Sequence, residues 1–260
     1  MGIIKRILLD KEYEEKKAEY GLDAPEMTIY HREIILRKRF IKKLYLDWYA
    51  DILAKIDTAG KVLELGSGGG FLKDVAPSII TSDILPLPNC DMTVNAYRLP
   101  FADKELAAII MIDTLHHMGE CHRFFTEAER ALRQGGKIIM IEPANTAWSR
   151  FVYHSFHHEP FNENAAEWNF PSAGPMSMAN GALPWIVFTR DKLKFEADYP
   201  NFKIAPIRRH TPFRYPLSGG LSYKSLLPGW LHGAAKLTER LLSPFNQQLA
   251  MFQTIEITKT

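Results

Sequence analysis

Four short, mostly apolar runs punctuate the middle of the chain. They are "KVLEL" ending at Gly66, "IITSDI" ending at Asp83, "LAAIIMID", and "GGKIIMIEP" ending at Pro143. Brief apolar runs bounded by turn residues predict strands buried on both faces. Helical segments separate them, notably "CHRFFTEAERALRQ", for which Gly135 and Gly136 supply a stop. Strands alternating with helices predict an α/β chain with a doubly wound, Rossmann-like, mostly parallel sheet. Nearer the C-terminus, "FKIAPIRRH" and "LAMFQTIEITK" alternate like strands. Between them "GWLHGAAKLTERLLSPF" reads as an amphipathic helix. That order predicts a sheet that closes with an antiparallel last strand.

The flanks carry a different pattern. Residues 1–58 read as an N-terminal helical cap, with Ile35, Phe40, Leu44, Trp48, Ile52 and Ile56 at helical spacing. The other face carries Arg37, Lys38, Arg39, Lys42 and Lys43. This predicts a solvated face on a covering helix, or contact with an anionic substrate or lipid head group. Residues 59–144 form the expected sheet core. Residues 145–200, rich in Pro, Asn, His and aromatics, read as an inserted lid over the ligand edge, with Trp168, Phe170, Trp185 and Phe188 making it apolar. Ile186 and Val187 fit a core element better. Residues 201–260 complete the sheet.

Composition narrows the class. Hydrophobic residues are 46% and charged residues 24% of 260, enough for a real core. A net charge of +2 argues against a general nucleic-acid binder. Cys90 and Cys121 form no CxxC pair, which fits a reducing cytoplasm. The N-terminal apolar run is too short for a signal peptide, and no run is long enough to span a membrane.

The loop "ELGSGGGF" after the first strand is the expected ligand site, because open α/β sheets bind at the carboxyl ends of their strands. A triphosphate loop needs Gly-Lys-Ser/Thr, but Phe71 and Leu72 follow Gly70. A dinucleotide loop needs GxGxxG, and neither register supplies the third glycine. The actual spacing is Glu64-x-Gly66-x-Gly68-x-Gly70. A carboxylate just before the loop would repel a pyrophosphate and accept from an ammonium. Asp83, closing the second strand, is placed to accept from ribose hydroxyls.

From this point the chain resembles the class I S-adenosylmethionine-dependent methyltransferases, especially their small-molecule group. "VLELGSGGGF", "SDI", "VNAYRLPFADKELAAIIMIDTLHHM" and "LRQGGKIIMIEP" are similar to that family's successive motifs. The resemblance implies S-adenosylmethionine as cofactor. It implies that Glu64, Gly66, Ser67, Gly68 and Gly70 line the methionine and ribose. Asp83 would bind the ribose, Ile84 would pack on the adenine, and Asn95 and Ala96 would meet its edge. Asn95 stands where the family usually has Asp. Asp113 and Thr114 would border the methionine and the substrate mouth.

Methyl transfer to oxygen needs an in-line acceptor and a base. The candidates are His116 and His117 in "DTLHHM", His157, His158 and Glu159 in "FHHEPFNE", and Glu142. His154 and His158 are four apart, but HExxH is absent and no third ligand follows, so no metal site is assigned. The apolar lid and the stretch from Pro212 to Phe245 suggest an apolar, polyene or lipid-linked acceptor, with a possible peripheral membrane contact. Two rivals are a nicotinamide oxidoreductase, which lacks its GxGxxG and Tyr-x-x-x-Lys here, and a non-catalytic cofactor-binding module.

Overall fold

The computed structural model describes residues 3–157, 159–171 and 174–260. One eight-stranded sheet runs through it. Its strands are β1 (Val62–Glu64), β2 (Ile80–Asp83), β3 (Met92–Thr93), β4 (Leu106–Ile112), β5 (Leu132–Pro143), β6 (Phe202–Ile204), β7 (Arg208–His210) and β8 (Phe252–Lys259). The spatial order is β3-β2-β1-β4-β5-β8-β6, with β7 also paired to β8. Every pair from β3 to β5 is parallel; β5, β6 and β7 all meet β8 antiparallel. β4 is buried over Leu106–Met111, as a strand covered on both faces must be.

The expected Rossmann-like sheet with an antiparallel last strand is present. Four details differ. β3 is an extra strand of two residues, too short to leave a periodic signal. "FKIAPIRRH" is two strands, both on β8, not one. The helix before Gly135 stops earlier, at Ala131, and Leu132 already pairs with Leu106 of β4. The N-terminal pattern forms four helices, α1 (Ile3–Leu8), α2 (Lys11–Tyr20), α3 (Pro25–Arg37) and α4 (Arg39–Leu53). Between the last two, Lys38 leaves helical geometry (φ −79°, ψ 92°) without Gly or Pro.

Of the basic face, Arg37, Arg39 and Lys43 are exposed, as a solvated face requires, and the correction falls on Lys38. Its Nζ donates to the carbonyls of Gly220, Leu221 and Tyr223, and Lys43 Nζ donates to that of Gly229. Burial pushes the Lys38 ammonium down to about 8. These lysines bind the C-terminal loop to the cap. The opposite face of α4 buries Phe40, Ile41, Leu44, Trp48, Tyr49 and Ile52.

The remaining helices cover the sheet: α5 (Leu72–Val75), α6 (Cys121–Ala131), α7 (Ala147–Phe156), α8 (Leu183–Trp185), α9 (Lys192–Asp198), α10 (Arg214–Ser218), α11 (His232–Leu241) and α12 (Asn246–Leu249). In α6, Cys121, Phe124, Phe125, Ala128 and Ala131 repeat every three or four residues and are buried. Phe125 meets Phe188, Phe195 and Tyr199 edge to face or tilted. Ile186 and Val187 are fully buried, as a core element requires. Trp168 is buried too, stacked on His122, with its indole N–H donating to Asp191. None of the described helices is long and apolar enough to cross a membrane.

Candidate active site

The carboxyl ends of β1, β2 and β4 open onto a single large cavity of about 1030 Å³. Gly66 sits at φ +66°, and a Cβ there would lie 2.4 Å from Thr114 Cγ2. The chain therefore crosses itself at a point where only glycine fits. Beside it, Ser67 Oγ donates to Glu64 at 2.5 Å and accepts the amide of Ser82 at 3.2 Å. Gly68 N–H donates to Asp83 at 2.9 Å.

Glu64 is almost fully buried and has no ion pair among the described residues. Burial pushes its carboxyl up to about 7, against the Ser67 hydrogen bond. Such a group suits a cationic ligand. Burial also raises the Asp83 carboxyl, although its backbone hydrogen bonds oppose this. Ile84 is half exposed at the cavity wall, with Asn95 and Ala96 nearby. The Asn95 side-chain oxygen Oδ1 already accepts the amide of Tyr97 at 2.8 Å, closing a turn.

The end of β4 is tightly built. Asp113 adopts φ +57°, a left-handed geometry that strains a non-glycine residue. Burial, with Glu142 and Glu159 nearby, pushes its carboxyl up to about 7, while His116 opposes. Glu142, fully buried at the end of β5, accepts the amides of Thr114 and Leu115 and meets His116 Nδ1 at 2.8 Å. On its other side, His116 Nε2 lies 3.3 Å from Glu159. Burial opposes charge on His116, but its hydrogen bonds to Glu142 and Glu159 win and hold it well above the ordinary range. His117 differs. Its Nδ1 meets the Met178 carbonyl at 3.2 Å, and burial plus the charge of His116 push it down to about 4. Burial favours a neutral Glu159, but His157, His116 and His117 together hold its carboxyl well below the usual range.

His116, His117, His157 and Glu159 thus form one cluster. Asp113, His117, His157 and Glu159 line the cavity with the glycine loop. His116 stands behind them. His158, also expected here, lies outside the described residues. His154 is exposed on α7, with its ring edge to face with Phe161.

The lining residues Leu8, Leu9, Tyr13 and Leu22 of the cap carried no signal in the sequence, and only their convergence in space marks them. Trp148 and Val152 of α7 fall in the stretch read as a lid, and Tyr215, Leu217, Leu221 and Leu226 in the apolar stretch from Pro212.

Residues 63–140 match the family model described as a methyltransferase domain. Over these residues the chain carries a methyltransferase domain. No curated protein sequence matches it. Solved structures with a similar fold include geranyl diphosphate C-methyltransferase from Streptomyces coelicolor A3(2). That protein is 13% identical over 97% of this chain and 88% of its own, with a TM-score of 0.47. A possible histamine N-methyltransferase from Thermotoga maritima is 17% identical over 88% of this chain and 99% of its own, with a TM-score of 0.49. A methyltransferase from Archaeoglobus fulgidus is 14% identical over 85% and 94%, also at 0.49. The buried Glu64, with no ion pair among the described residues, and a loop closed to side chains fit a phosphate-free, cationic nucleoside better than a pyrophosphate.

Proposed function

We propose that this methyltransferase transfers a methyl group to a hydroxyl oxygen of an apolar small molecule, polyene or lipid-linked acceptor. The cavity carries the reading. Its volume of about 1030 Å³ lies at the top of the roughly 300–1,000 Å³ range of small-molecule pockets. Its lining brings together the glycine loop, His117 and Glu159, and the apolar side chains of Leu8, Leu9, Tyr13, Leu217 and Leu221. That is room for a cofactor and a sizeable apolar partner together.

S-adenosylmethionine supplies an electrophilic methyl carbon on a sulfonium. In this reading Glu64 accepts from its ammonium, with Gly66, Ser67, Gly68 and Gly70 shaping the loop. Asp83 accepts from the ribose hydroxyls, Ile84 covers the adenine, and Asn95 and Ala96 border it. Asp113 and Thr114 face the methionine end. His117, neutral at pH 7, donates through Nδ1 to Met178 and offers Nε2 to the acceptor's hydroxyl proton. His116, held charged, fixes Glu159, and His157 borders the same space. The apolar walls exclude water and align the acceptor oxygen with the methyl carbon.

A second feature favours a peripheral membrane contact for delivering such an acceptor. α11 turns its polar side inward: His232 and Glu239 are buried, while Leu237, Leu241 and the neighbouring Trp230 and Phe245 are exposed. Co-sedimentation with anionic vesicles, lost on Trp230→Ala/Leu241→Ala, tests it.

The main test is radiolabelled methyl transfer to hydroxylated apolar acceptors and to small hydrophilic ones, beside calorimetric titration with S-adenosylhomocysteine and NAD. Transfer to apolar hydroxyls and micromolar binding of the first ligand alone support the proposal. Transfer only to hydrophilic acceptors overturns it.

A further inference from the structure

The carboxyl ends of β4 and β5 bring together His116, His117 and Glu159, whose ligand atoms all lie within 4.8 Å of one another. We propose that these three side chains form a binding site for one divalent transition-metal ion of the zinc class. The separations suit it. His116 Nε2 is 3.3 Å and His117 Nε2 3.6 Å from the Glu159 carboxylate oxygens. A tetrahedral ion with ligands at about 2.0–2.2 Å sets its ligands roughly 3.3–3.6 Å apart.

The surroundings aim the rings. His116 Nδ1 is engaged by the fully buried Glu142 at 2.8 Å, and His117 Nδ1 by the Met178 carbonyl at 3.2 Å. With each Nδ1 so engaged, Nε2 is the atom left for an ion, which at His116 would take the place of the proton shared with Glu159; both Nε2 atoms face Glu159. A carboxylate or carbonyl behind each ligating histidine is the usual outer shell of a metal site. The neighbouring group of Asp113, His116 and Glu142 is a poorer candidate. Glu142 already accepts two backbone amides and His116 Nδ1, which leaves an ion no room. His117 and Glu159 line the cavity, so the fourth position opens to a small ligand. Two imidazoles and one carboxylate with an open position is a donor set for zinc, cobalt or iron, not for calcium or magnesium.

An ion and a proton exclude each other at His117 Nε2, so loading the ion removes that nitrogen as a proton acceptor. This consequence rests on the function proposed above; the site itself does not.

The test is calorimetric titration of chelator-treated full-length protein with Zn²⁺, with Co²⁺ absorption as a second readout. One equivalent should bind at micromolar affinity or tighter, and Co²⁺ should give the intense visible bands of a four-coordinate site. His117→Ala and Glu159→Gln should each weaken binding at least 100-fold. Glu142→Gln, which leaves the three ligands in place, should weaken it roughly 10–100-fold. Melting curves in chelator establish that each variant is folded. Absence of saturable binding by the folded wild type overturns the site. So does Zn²⁺ affinity unchanged by both His117→Ala and Glu159→Gln. S-adenosylhomocysteine titrated into the same metal-free samples separates the two readings. Its binding without Zn²⁺ binding sinks the metal site alone, and its failure to bind the folded wild type sinks the cofactor reading.

Discussion

The amide of Gly68 donates to the carboxylate of Asp83 at 2.9 Å, tying the loop after β1 to the end of β2. The other Asp83 oxygen accepts the amide of Leu85, also at 2.9 Å. The carboxylate is therefore fixed before any ligand arrives, and it lines the cavity. Asp83→Ala should weaken S-adenosylhomocysteine binding roughly 10–100-fold, the worth of a charge-assisted hydrogen-bond pair at about 1.5–3 kcal/mol. Calorimetry reads this directly. An unchanged Kd would remove Asp83 from the ribose site.

Two glycines with similar backbones should behave differently. Gly66 and Gly135 both have positive φ, +66° and +72°. A Cβ on Gly66 would strike Thr114, while one on Gly135 would meet nothing within 4 Å. Gly135→Ala should cost about 1–2 kcal/mol of stability, from backbone strain alone. It should leave cofactor binding intact. Gly66→Ala adds a collision inside the loop and should abolish measurable binding. Thermal melts and calorimetry on both variants separate strain from shape.

The sheet and glycine loop were legible because both are local. A strand buried on both faces writes itself as an apolar run, and Glu64, Gly66, Gly68 and Gly70 are near neighbours. The histidine cluster was legible only as a set of candidates. Its wiring depends on register: Ile112 of β4 sits beside Ile141 of β5, which brings Glu142 to the residues just after β4. No spacing within "DTLHHM" reveals that His116 finds Glu142, 26 residues on, while His117 finds Met178. On the basic face of the cap, Lys38 misled for the same reason. Lys38 meets carbonyls more than 180 residues away.

Cofactor binding should depend on pH through Glu64. Burial holds its carboxyl at about 7 against an ordinary value of 4.5, so the ligand-free protein carries it protonated below pH 7. An ammonium favours the ionised form, so binding releases a proton in that range. Affinity for S-adenosylhomocysteine should rise as pH increases towards 7 and level off above it. Glu64→Gln should weaken binding at pH 8 and flatten the profile. Titrations from pH 5.5 to 8.5 test the sign, and a wild-type affinity that falls with rising pH contradicts it.

The inverted orientation of α11 has a specific anchor. Glu239 accepts the amides of Phe213 and Arg214 at 2.8 and 2.7 Å and the Arg214 side chain at 2.5 Å. Arg214 also meets Asp47 of α4 at 2.5 Å, and Asp47 holds Lys236 of α11 at 2.7 Å. Arg214 and Glu239 are both buried, so removing Glu239 leaves the guanidinium with Asp47 alone and two backbone amides without their acceptor. Glu239→Ala should cost about 3–5 kcal/mol and lower Tm by roughly 6–15 °C. Leu237→Ala, on the exposed face of the same helix, should stay within about 0.5 kcal/mol. The network also sets the start of α10, whose Tyr215, Pro216 and Leu217 line the cavity and, in the function proposed above, border the acceptor. Damage should therefore reach the acceptor before the cofactor: Glu239→Ala should raise KM for an apolar acceptor while the Kd for S-adenosylhomocysteine stays near wild type. Equal losses in both would mean that the two ends of the cavity unfold as one unit.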